Sequence, residues 1–284
     1  MTQQELLNVK PGDKLIIKTT NEQHKRCFGH SRFEGKIITV NNLSKTYGTF
    51  EAVKGISFDV LEGEIFGLLG PNGAGKTTTL EIIETLREKS GGEVMIDGLN
   101  IDRDQNEIKK IIGVQLQAAG YYPSLNLMEL LDLFSGLYNI NVDRKEILAS
   151  VGLEDKAKNK YKELSGGQKQ RFSIAAALVH NPKVFFMDEP TTGLDPQARR
   201  NLWDLVQDIK KRGITVIMTT HYMEEAELLC DRVAIMDEGE IKVIDTPKNL
   251  VKQLLGRGFT KKQIVEQANL EDVFIDLTGK HLRD

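Results

Sequence analysis

One stretch of the sequence decides the fold, residues 70–78, which read Gly70-Pro71-Asn72-Gly73-Ala74-Gly75-Lys76-Thr77-Thr78. It matches the phosphate-binding loop pattern G-x-x-x-x-G-K-[ST]. The flanks agree with the pattern, because an apolar run over 64–69 predicts a buried strand and apolar residues at helical spacing over 77–87 predict a helix. The alternative is a glycine-rich turn before an ordinary helix. The agreement between pattern and context disfavours it.

The residue types in this loop suit the binding of a phosphate chain. Glycines let backbone N–H groups surround an anion, and the N-terminus of a helix adds a partial positive charge. We expect Lys76 to reach the outer phosphates and the Thr77 hydroxyl to bind Mg²⁺.

Composition narrows the class of protein. The 284 residues suffice for one large domain with an appendage or for two small domains. Lys and Arg total 38 against 41 for Asp and Glu, and no basic stripe stands out, so a nucleic-acid partner is not expected. The polar, acidic start and the lack of any run near the ~18 apolar residues of a membrane span predict a soluble, cytosolic protein. Cys27 and Cys230 lie far apart and predict neither a disulfide framework nor a metal cluster.

Strands and helices alternate from residue 36 onward, which predicts an α/β fold with a mostly parallel sheet covered on both faces. Ligands of such folds bind beyond the carboxyl ends of the strands. The predicted strands are 37–40, 56–60, 64–69, 93–98, 111–116, 184–187, 214–218, 233–236 and 240–244. The predicted helices are 77–87, segments within 126–152, 168–180, 196–212 and a last region from 246. Residues 1–35 form a separate region, in which His24, Cys27 and His30 lack a fourth metal ligand and are interpreted as incidental.

A second informative element is the apolar run 184–187, which ends in Asp188 and Glu189. Buried carboxylates are costly unless something offsets their charge. Mg²⁺ beside Thr77 would do so for Asp188, and Glu189 could then polarise a water molecule aimed at a γ-phosphate. A strand that merely ends in a charged turn is the alternative.

The third element is Leu164-Ser165-Gly166-Gly167-Gln168, followed by a long predicted helix. Ser165 could be a plain N-cap with the glycines as a flexible lead-in. Because the segment lies just upstream of the acidic strand, it resembles the signature motif of the ATP-binding cassette (ABC) ATPases. The resemblance implies a P-loop NTPase fold, with an antiparallel β subdomain and a helical subdomain beside the parallel core sheet.

Other elements of that family occur in the expected order. Tyr47 resembles the aromatic residue that stacks on adenine. Gln117 resembles the glutamine of a lid-like loop that senses Mg²⁺ and the transport partner, and Gln115 is its rival by position. Asp195, in Gly193-Leu194-Asp195, resembles the loop that couples two nucleotide sites, and His221 resembles the histidine that contacts the γ-phosphate.

The resemblance therefore implies ATP and Mg²⁺ as ligands. It implies catalytic roles for Glu189, His221 and Gln117, and metal binding by Thr77, Gln117 and Asp188. The implied nucleotide-binding residues are Tyr47, Gly70 to Thr78, Ser165 to Gln168, Asp188 and Asp195.

A dimer is also expected. The sequence predicts two helix N-termini that could bind an anion, after Gly75 and after Gly167, but only one loop that contains a lysine. The resemblance implies that one cassette's phosphate loop and a second cassette's signature segment enclose one ATP. Whether two copies of this chain pair or a sister cassette joins stays open.

The closing segment 269–279 resembles that of drug-resistance-type efflux ATPases, which work with ABC-2 permeases, and residues 81–84 fit the same subgroup. The resemblance implies a subunit on the inner face of the cell membrane that hydrolyses ATP to power export of a drug, lipid or ion through separate integral membrane permease subunits. It divides the chain into an extension (1–35), a nucleotide-binding domain (36–240, with a helical subdomain at about 118–182) and a tail (241–284). A terminal amphipathic helix that packs on the domain is a second interpretation of the tail.

Two alternatives remain. A soluble ABC ATPase that acts on nucleic acid or ribosomes usually carries two cassettes or an inserted coiled coil, and neither appears in the sequence. A non-catalytic cassette is disfavoured because Lys76, Asp188, Glu189 and His221 are all present.

Overall fold

The computed structural model describes residues 35–115 and 120–259. Their strands are β1 (Lys36–Tyr47), β2 (Phe50–Leu61), β3 (Ile65–Leu69), β4 (Gly91–Ile96), β5 (Leu99–Asn100), β6 (Ile112–Gln115), β7 (Val184–Asp188), β8 (Thr215–Thr220), β9 (Arg232–Asp237) and β10 (Glu240–Asp245). Their α-helices are α1 (Lys76–Ile83), α2 (Gln105–Ile111), α3 (Leu127–Leu137), α4 (Arg144–Ser150), α5 (Gly166–Ala177), α6 (Pro196–Lys211), α7 (Met223–Leu229) and α8 (Pro247–Gly256).

The strands form two sheets. The larger has the order β10-β9-β3-β8-β7-β6, in which only the hairpin partner β10 runs antiparallel to its neighbour. The smaller sheet, β2-β1-β4-β5, is antiparallel throughout. The α/β fold with a mostly parallel core sheet and an antiparallel β unit is thus confirmed.

The parallel sheet is the middle layer of the part of the chain that the structure describes. In β3 every residue is buried, with Ile65 and Leu69 in one hydrophobic core and Phe66 and Leu68 in the other. This alternation follows from the two-residue period of a strand. One core is filled by helices α3 to α7, and the other by α1, α2 and the antiparallel sheet. With both faces covered, the carboxyl edge of the sheet is left for ligands.

The first helix is shorter than predicted. α1 ends at Ile83 rather than at Arg87, because Thr85 adopts a left-handed backbone (φ 63) that interrupts the helix. The N–H groups of Leu86 and Arg87 donate to the Glu81 carbonyl oxygen at 2.9 and 3.1 Å. Leu86, which the spacing assigned to the apolar face, is 56% exposed.

Other boundaries also move. β1 and β2 are 12 residues each, longer than predicted, and they meet at a turn in which Gly48 has φ 58. The strand predicted from residue 111 begins at Ile112, since Ile111 closes α2. The sequence did not predict α2, whose only buried residue is Ile108 and whose helical period is therefore weak.

No helix within residues 35–115 and 120–259 is long and apolar enough to cross a bilayer. Cys230 is a buried free thiol. Cys27, the extension 1–34 and the segment 269–279 lie outside the described residues, so the proposed division into domains stays a prediction.

Candidate active site

Three adjacent strands deliver the predicted catalytic residues to one edge. β8 lies between β3 and β7 and is parallel to both. The loop 70–75 follows β3, Asp188 and Glu189 end β7, and His221 follows β8. Because parallel strands end at the same side of a sheet, these groups converge although Gly70 and His221 are 151 positions apart in sequence.

The loop 70–75 is a cradle that only glycine can form at two positions. Gly75 is the N-cap of α1 with φ 95, and a Cβ there would lie 2.6 Å from the Ala52 carbonyl oxygen. A Cβ on Gly70 would lie 2.2 Å from the Met236 carbonyl oxygen. No side chain caps the N-terminus of α1. Its first N–H groups are therefore left for an anion.

The side chain of Lys76 folds back over the loop 70–75. Its side chain is 4% exposed, and Nζ donates to the carbonyl oxygens of Gly70 (2.8 Å) and Pro71 (3.0 Å). Burial lowers the pKa of Lys76, and the nearby carboxylates of Glu189 and Asp188 oppose that change. The ammonium group is held at the loop, where it could meet phosphate oxygens.

Asp188 and Thr77 present adjacent oxygens. Asp188 Oδ1 accepts from Thr77 Oγ1 at 3.2 Å and from Thr219 Oγ1. A hydroxyl beside a carboxylate is the type of oxygen donor set that Mg²⁺ takes, with phosphates and water completing its shell. No group of three His, Cys, Asp or Glu side chains in the described ranges could hold a metal ion. The residues present thus fit a cation that is bound together with a phosphate chain.

Glu189 occupies a strained position at the end of β7. Its φ of 45 is left-handed, a conformation that costs a non-glycine residue about 1–2 kcal/mol. Its N–H donates to Thr219 Oγ1 at 3.0 Å, and its Oε2 accepts from Thr192 Oγ1 at 3.3 Å. Strain of this kind persists where the surroundings determine the conformation, and it clusters at functional sites.

One carboxylate oxygen of Glu189 lies close to the two basic side chains of the site. Glu189 Oε1 lies 3.2 Å from His221 Nδ1 and 3.9 Å from Lys76 Nζ. Although Glu189 Oε1 and His221 Nδ1 are close enough for a hydrogen bond, their relative orientation does not form one. The glutamate is only 14% exposed, so its charge is poorly screened and its two basic neighbours matter.

The signature segment is held by its own hydrogen bonds. Ser165 is the N-cap of α5, where Ser165 Oγ accepts from the Gln168 N–H (3.3 Å) and Gln168 Oε1 accepts from the Ser165 N–H (2.9 Å). The N-cap interpretation of Ser165 is therefore correct in geometry. The expected second helix N-terminus lies before Gly166 and not after Gly167.

The segment Ser165–Gln168 and the loop Gly193–Asp195 line one open pocket of ≈ 380 Å³. Asp195 caps α6 there, accepting from the Ala198 N–H at 2.8 Å. None of residues 70–78 lines this pocket. The structure thus places the predicted site residues in two separate groups, which we call half-sites: the phosphate loop with Asp188, Glu189 and His221, and the signature segment with Asp195.

Two predicted residues stand apart. Tyr47 ends β1, is 41% exposed, and accepts a hydrogen bond from Arg87 Nη1 at 2.7 Å. Gln117 lies outside the described residues. Its rival Gln115 is buried at the end of β6.

The sequence analysis missed the threonines that hold the carboxylates. Thr219 contacts both Asp188 and Glu189, and Thr192 contacts Glu189. The polar run Thr219-Thr220-His221 at the end of an apolar strand was the available signal. The analysis also missed Gln170 of α5, whose Nε2 donates to the Pro190 carbonyl oxygen at 2.7 Å and so ties the signature helix to the loop after β7.

Comparisons with known proteins agree with this geometry. A family model described as ABC transporter matches residues 53–192. The linearmycin resistance ATP-binding protein of Bacillus subtilis (strain 168) is 42% identical, over 78% of this chain and 72% of that protein. The Nod factor export ATP-binding protein I of Burkholderia orbicola (strain AU 1054) is 34% identical, over 87% of this chain and 98% of that protein. A solved dimeric ATP-binding cassette in a post-hydrolysis state, bound to ADP and Pi, has a TM-score of 0.66 and 31% identity, over 74% of this chain and 98% of that one.

A lysine loop between a buried parallel strand and a helix, beside an acidic strand end, defines a P-loop NTPase. The chain belongs to the ABC transporter family, as an ATP-binding subunit with the ATPase fold of its cassettes.

Proposed function

We propose that this subunit hydrolyses ATP to power an ABC export transporter, lying on the inner face of the cell membrane against separate integral membrane permease subunits. The names of two relatives, one for linearmycin resistance and one for Nod factor export, support the export direction. The exported compound would be selected by the permease. A drug, a lipid or an ion all fit.

The chemistry we propose uses the residues at the carboxyl edge of the parallel sheet. Lys76 binds the outer phosphates, and the open N–H groups of α1 bind the same anion. Thr77 and Asp188 would hold Mg²⁺, with Gln117 as a further ligand from the lid-like loop. Mg²⁺ bound there would neutralise part of the phosphate charge.

Glu189 orients the attacking water and accepts its proton, and His221 contacts the γ-phosphate. The observation that carries this assignment is the convergence of His221 Nδ1 and Lys76 Nζ on Glu189 Oε1, at 3.2 and 3.9 Å. A carboxylate that is held next to a lysine and a histidine at a phosphate loop is placed to act as a general base.

The remaining assignments describe how the nucleotide is enclosed. Tyr47 stacks on adenine. Ser165 to Gln168 and Asp195 act across the interface on a nucleotide that the second cassette holds at its own phosphate loop. The separation of the two half-sites within one chain supports this arrangement, as does the dimeric state of the similar cassette.

The test is Glu189→Gln, which keeps the size of the side chain and removes the base. ATP binding should persist, while hydrolysis should slow by roughly 10²–10⁴-fold. With ATP bound and uncleaved, the variant should accumulate as a dimer in size-exclusion chromatography with light scattering. Glu107→Gln, an exposed substitution on α2, is the matched control and should behave as wild type.

Two results would contradict the proposal. Hydrolysis at the wild-type rate would remove Glu189 from the reaction. A Glu189→Gln protein that stays monomeric at millimolar ATP would count against the enclosed nucleotide.

A further inference from the structure

One fully buried acid has no role in the chemistry above. Glu225 is 0% exposed and lies in the first turn of α7, four positions after His221. Its Oε1 accepts a hydrogen bond from Trp203 Nε1 of α6 at 3.2 Å. An acid of this type is costly to bury unless its neighbours compensate for the lost water. Its contacts therefore identify what it holds in place.

The neighbours of Glu225 come from three parts of the site. Burial raises its pKa, and the Thr220 hydroxyl, the Trp203 indole N–H, the Thr191 hydroxyl and the Arg199 charge oppose that rise. Thr220 ends β8, Thr191 follows β7, and Trp203 belongs to α6. Glu225, on the helix that follows His221, is thus hydrogen-bonded to the helix that begins at Asp195, and it lies beside the strand end before His221 and the loop after Glu189.

A second contact links the same segments. Arg199, in the first turn of α6, has its Cζ 4.7 Å from the centre of the Tyr222 ring. The Tyr222 ring lies 4.1 Å from the His221 ring, and the Tyr222 N–H donates to Thr220 Oγ1 at 3.0 Å. Arg199 therefore reaches His221 through one intervening side chain.

α6 is suited to carry a displacement between these points. Its N-cap is Asp195, in the loop that lines the pocket of the signature segment. Its inner face is buried by Leu202, Leu205, Val206 and Ile209, so the helix is packed along its length as a rigid element. A shift of its first turn would act on Tyr222 through Arg199 and on Glu225 through Trp203.

We propose that Glu225 is a positioning residue for ATP hydrolysis: by binding Trp203 it fixes the His221 segment to α6, so that the position of the Gly193–Asp195 loop at the interface between cassettes sets the position of His221. This inference rests on the proposed contact between His221 and the γ-phosphate. Glu225 is fully buried and lies outside the proposed nucleotide and metal contacts. Its loss should therefore lower kcat and leave KM nearly unchanged.

Trp203 makes the contact measurable, because it is the only tryptophan of the chain. In the full chain, ATP should change its fluorescence as the cassettes pair. Glu225→Ala should abolish that change and lower kcat about tenfold to 100-fold, the scale of a displaced catalytic group. Glu225→Gln keeps a hydrogen-bond acceptor and should recover most of both signals. Glu224→Ala, an exposed neighbour in the same helical turn, is the control and should match wild type.

Trp203→Phe separates positioning from folding, because it removes the N–H donor and keeps most of the aromatic bulk. It should lower kcat as Glu225→Ala does, and the double variant should be no slower than the slower single variant, since both remove one interaction. If Glu225→Ala does not fold, Trp203→Phe decides. A wild-type kcat in Trp203→Phe overturns the inference.

His221→Ala, measured in parallel, distinguishes a failure of the proposed role of His221 from a failure of the role of Glu225. Unchanged hydrolysis in His221→Ala would remove the proposed role of His221, and the inference with it. Lost hydrolysis in His221→Ala, combined with a wild-type kcat in Trp203→Phe, would overturn the role of Glu225 alone.

Discussion

Helix α1 begins directly after Gly75, and helix α5 begins with Gly166 and Gly167, but their N-termini are built in opposite ways. α1 starts at the left-handed Gly75 with no side-chain cap, whereas α5 starts at Ser165 inside a complete capping box. The first terminus leaves its N–H donors for a ligand. The capping box at the N-terminus of α5 satisfies part of that helix's own N–H donors. A free terminus beside a buried lysine can bind phosphate alone, while the capped one would, in the proposed pairing, meet a phosphate that another cassette brings.

The two helices also differ in the charge that they bury. Lys76 and Glu84, at the two ends of α1, are 4% and 3% exposed. Burial, together with the charges of Asp188 and Glu81, raises the pKa of Glu84 to about 8. The first turn of α5 contains no buried charged residue. We therefore predict that the buried charged groups around α1, where the anion site lies, reduce the stability of that region. The region around α5 should show no such reduction.

The largest expected effect comes from Lys76→Ala, which removes the charge that the uncapped terminus depends on. Charge-assisted contacts contribute about 1.5–3 kcal/mol, so ATP affinity should fall roughly 10- to 100-fold. Titration with a fluorescent ATP analogue measures the change, and the exposed Lys110→Ala serves as control. Unchanged affinity would mean that the two termini do not differ in the way the structure indicates.

Glu84→Gln should produce the next largest effect, on stability. The folded pKa of about 8 lies above the ordinary 4.5, so between these pH values the folded state keeps a proton that the unfolded state releases. The free energy of unfolding of the wild type should therefore fall as pH rises from 4.5 to 8, and Glu84→Gln should lack this fall. Above pH 8 the variant should be more stable than the wild type, because it buries no charge at this position.

Urea unfolding between pH 5 and 9, in the absence of nucleotide and Mg²⁺, tests this prediction. The difference between the two proteins should nearly vanish at the acid end. A constant difference across the range would show that Glu84 does not titrate as its burial indicates.

The smallest expected effect belongs to Ser165→Ala. Loss of an N-cap costs about 1 kcal/mol of stability. ATP affinity of the dilute monomer should stay at the wild-type value, while ATP-driven pairing in the Glu189→Gln background should weaken, as measured by light scattering. Asn126→Ala removes the equivalent cap of α3, and should cost similar stability without affecting pairing. A loss of monomer affinity in Ser165→Ala would place the signature segment at the same nucleotide as Lys76.

Some of the site could be predicted because its signals are local. The loop 70–78 and the segment Ser165–Gln168 each lie within one short stretch, and each motif contains the residues that give it its geometry. The α/β class, the ATPase family and the export-type relatives agree with those predictions. The assigned roles of individual site residues stay predictions.

Other features could not be predicted, because they depend on chain segments that meet only in the fold. The end of α1 follows from Thr85, whose φ of 63 no local signal indicated. The atom that excludes a side chain at position 75 is the carbonyl oxygen of Ala52, on β2. The position of Glu189 depends on Thr219, thirty residues later in the chain.

The sequence by itself determined that this chain has a phosphate loop, an acidic strand end and a capped signature helix, because each is encoded within a few consecutive residues. Only the tertiary structure decided which oxygen Lys76 and His221 share, and that Glu225 is buried against Trp203. The physical reason is that strand order in the parallel sheet and the packing of α6 on α7 bring distant residues together, and no short stretch of sequence records that neighbourhood.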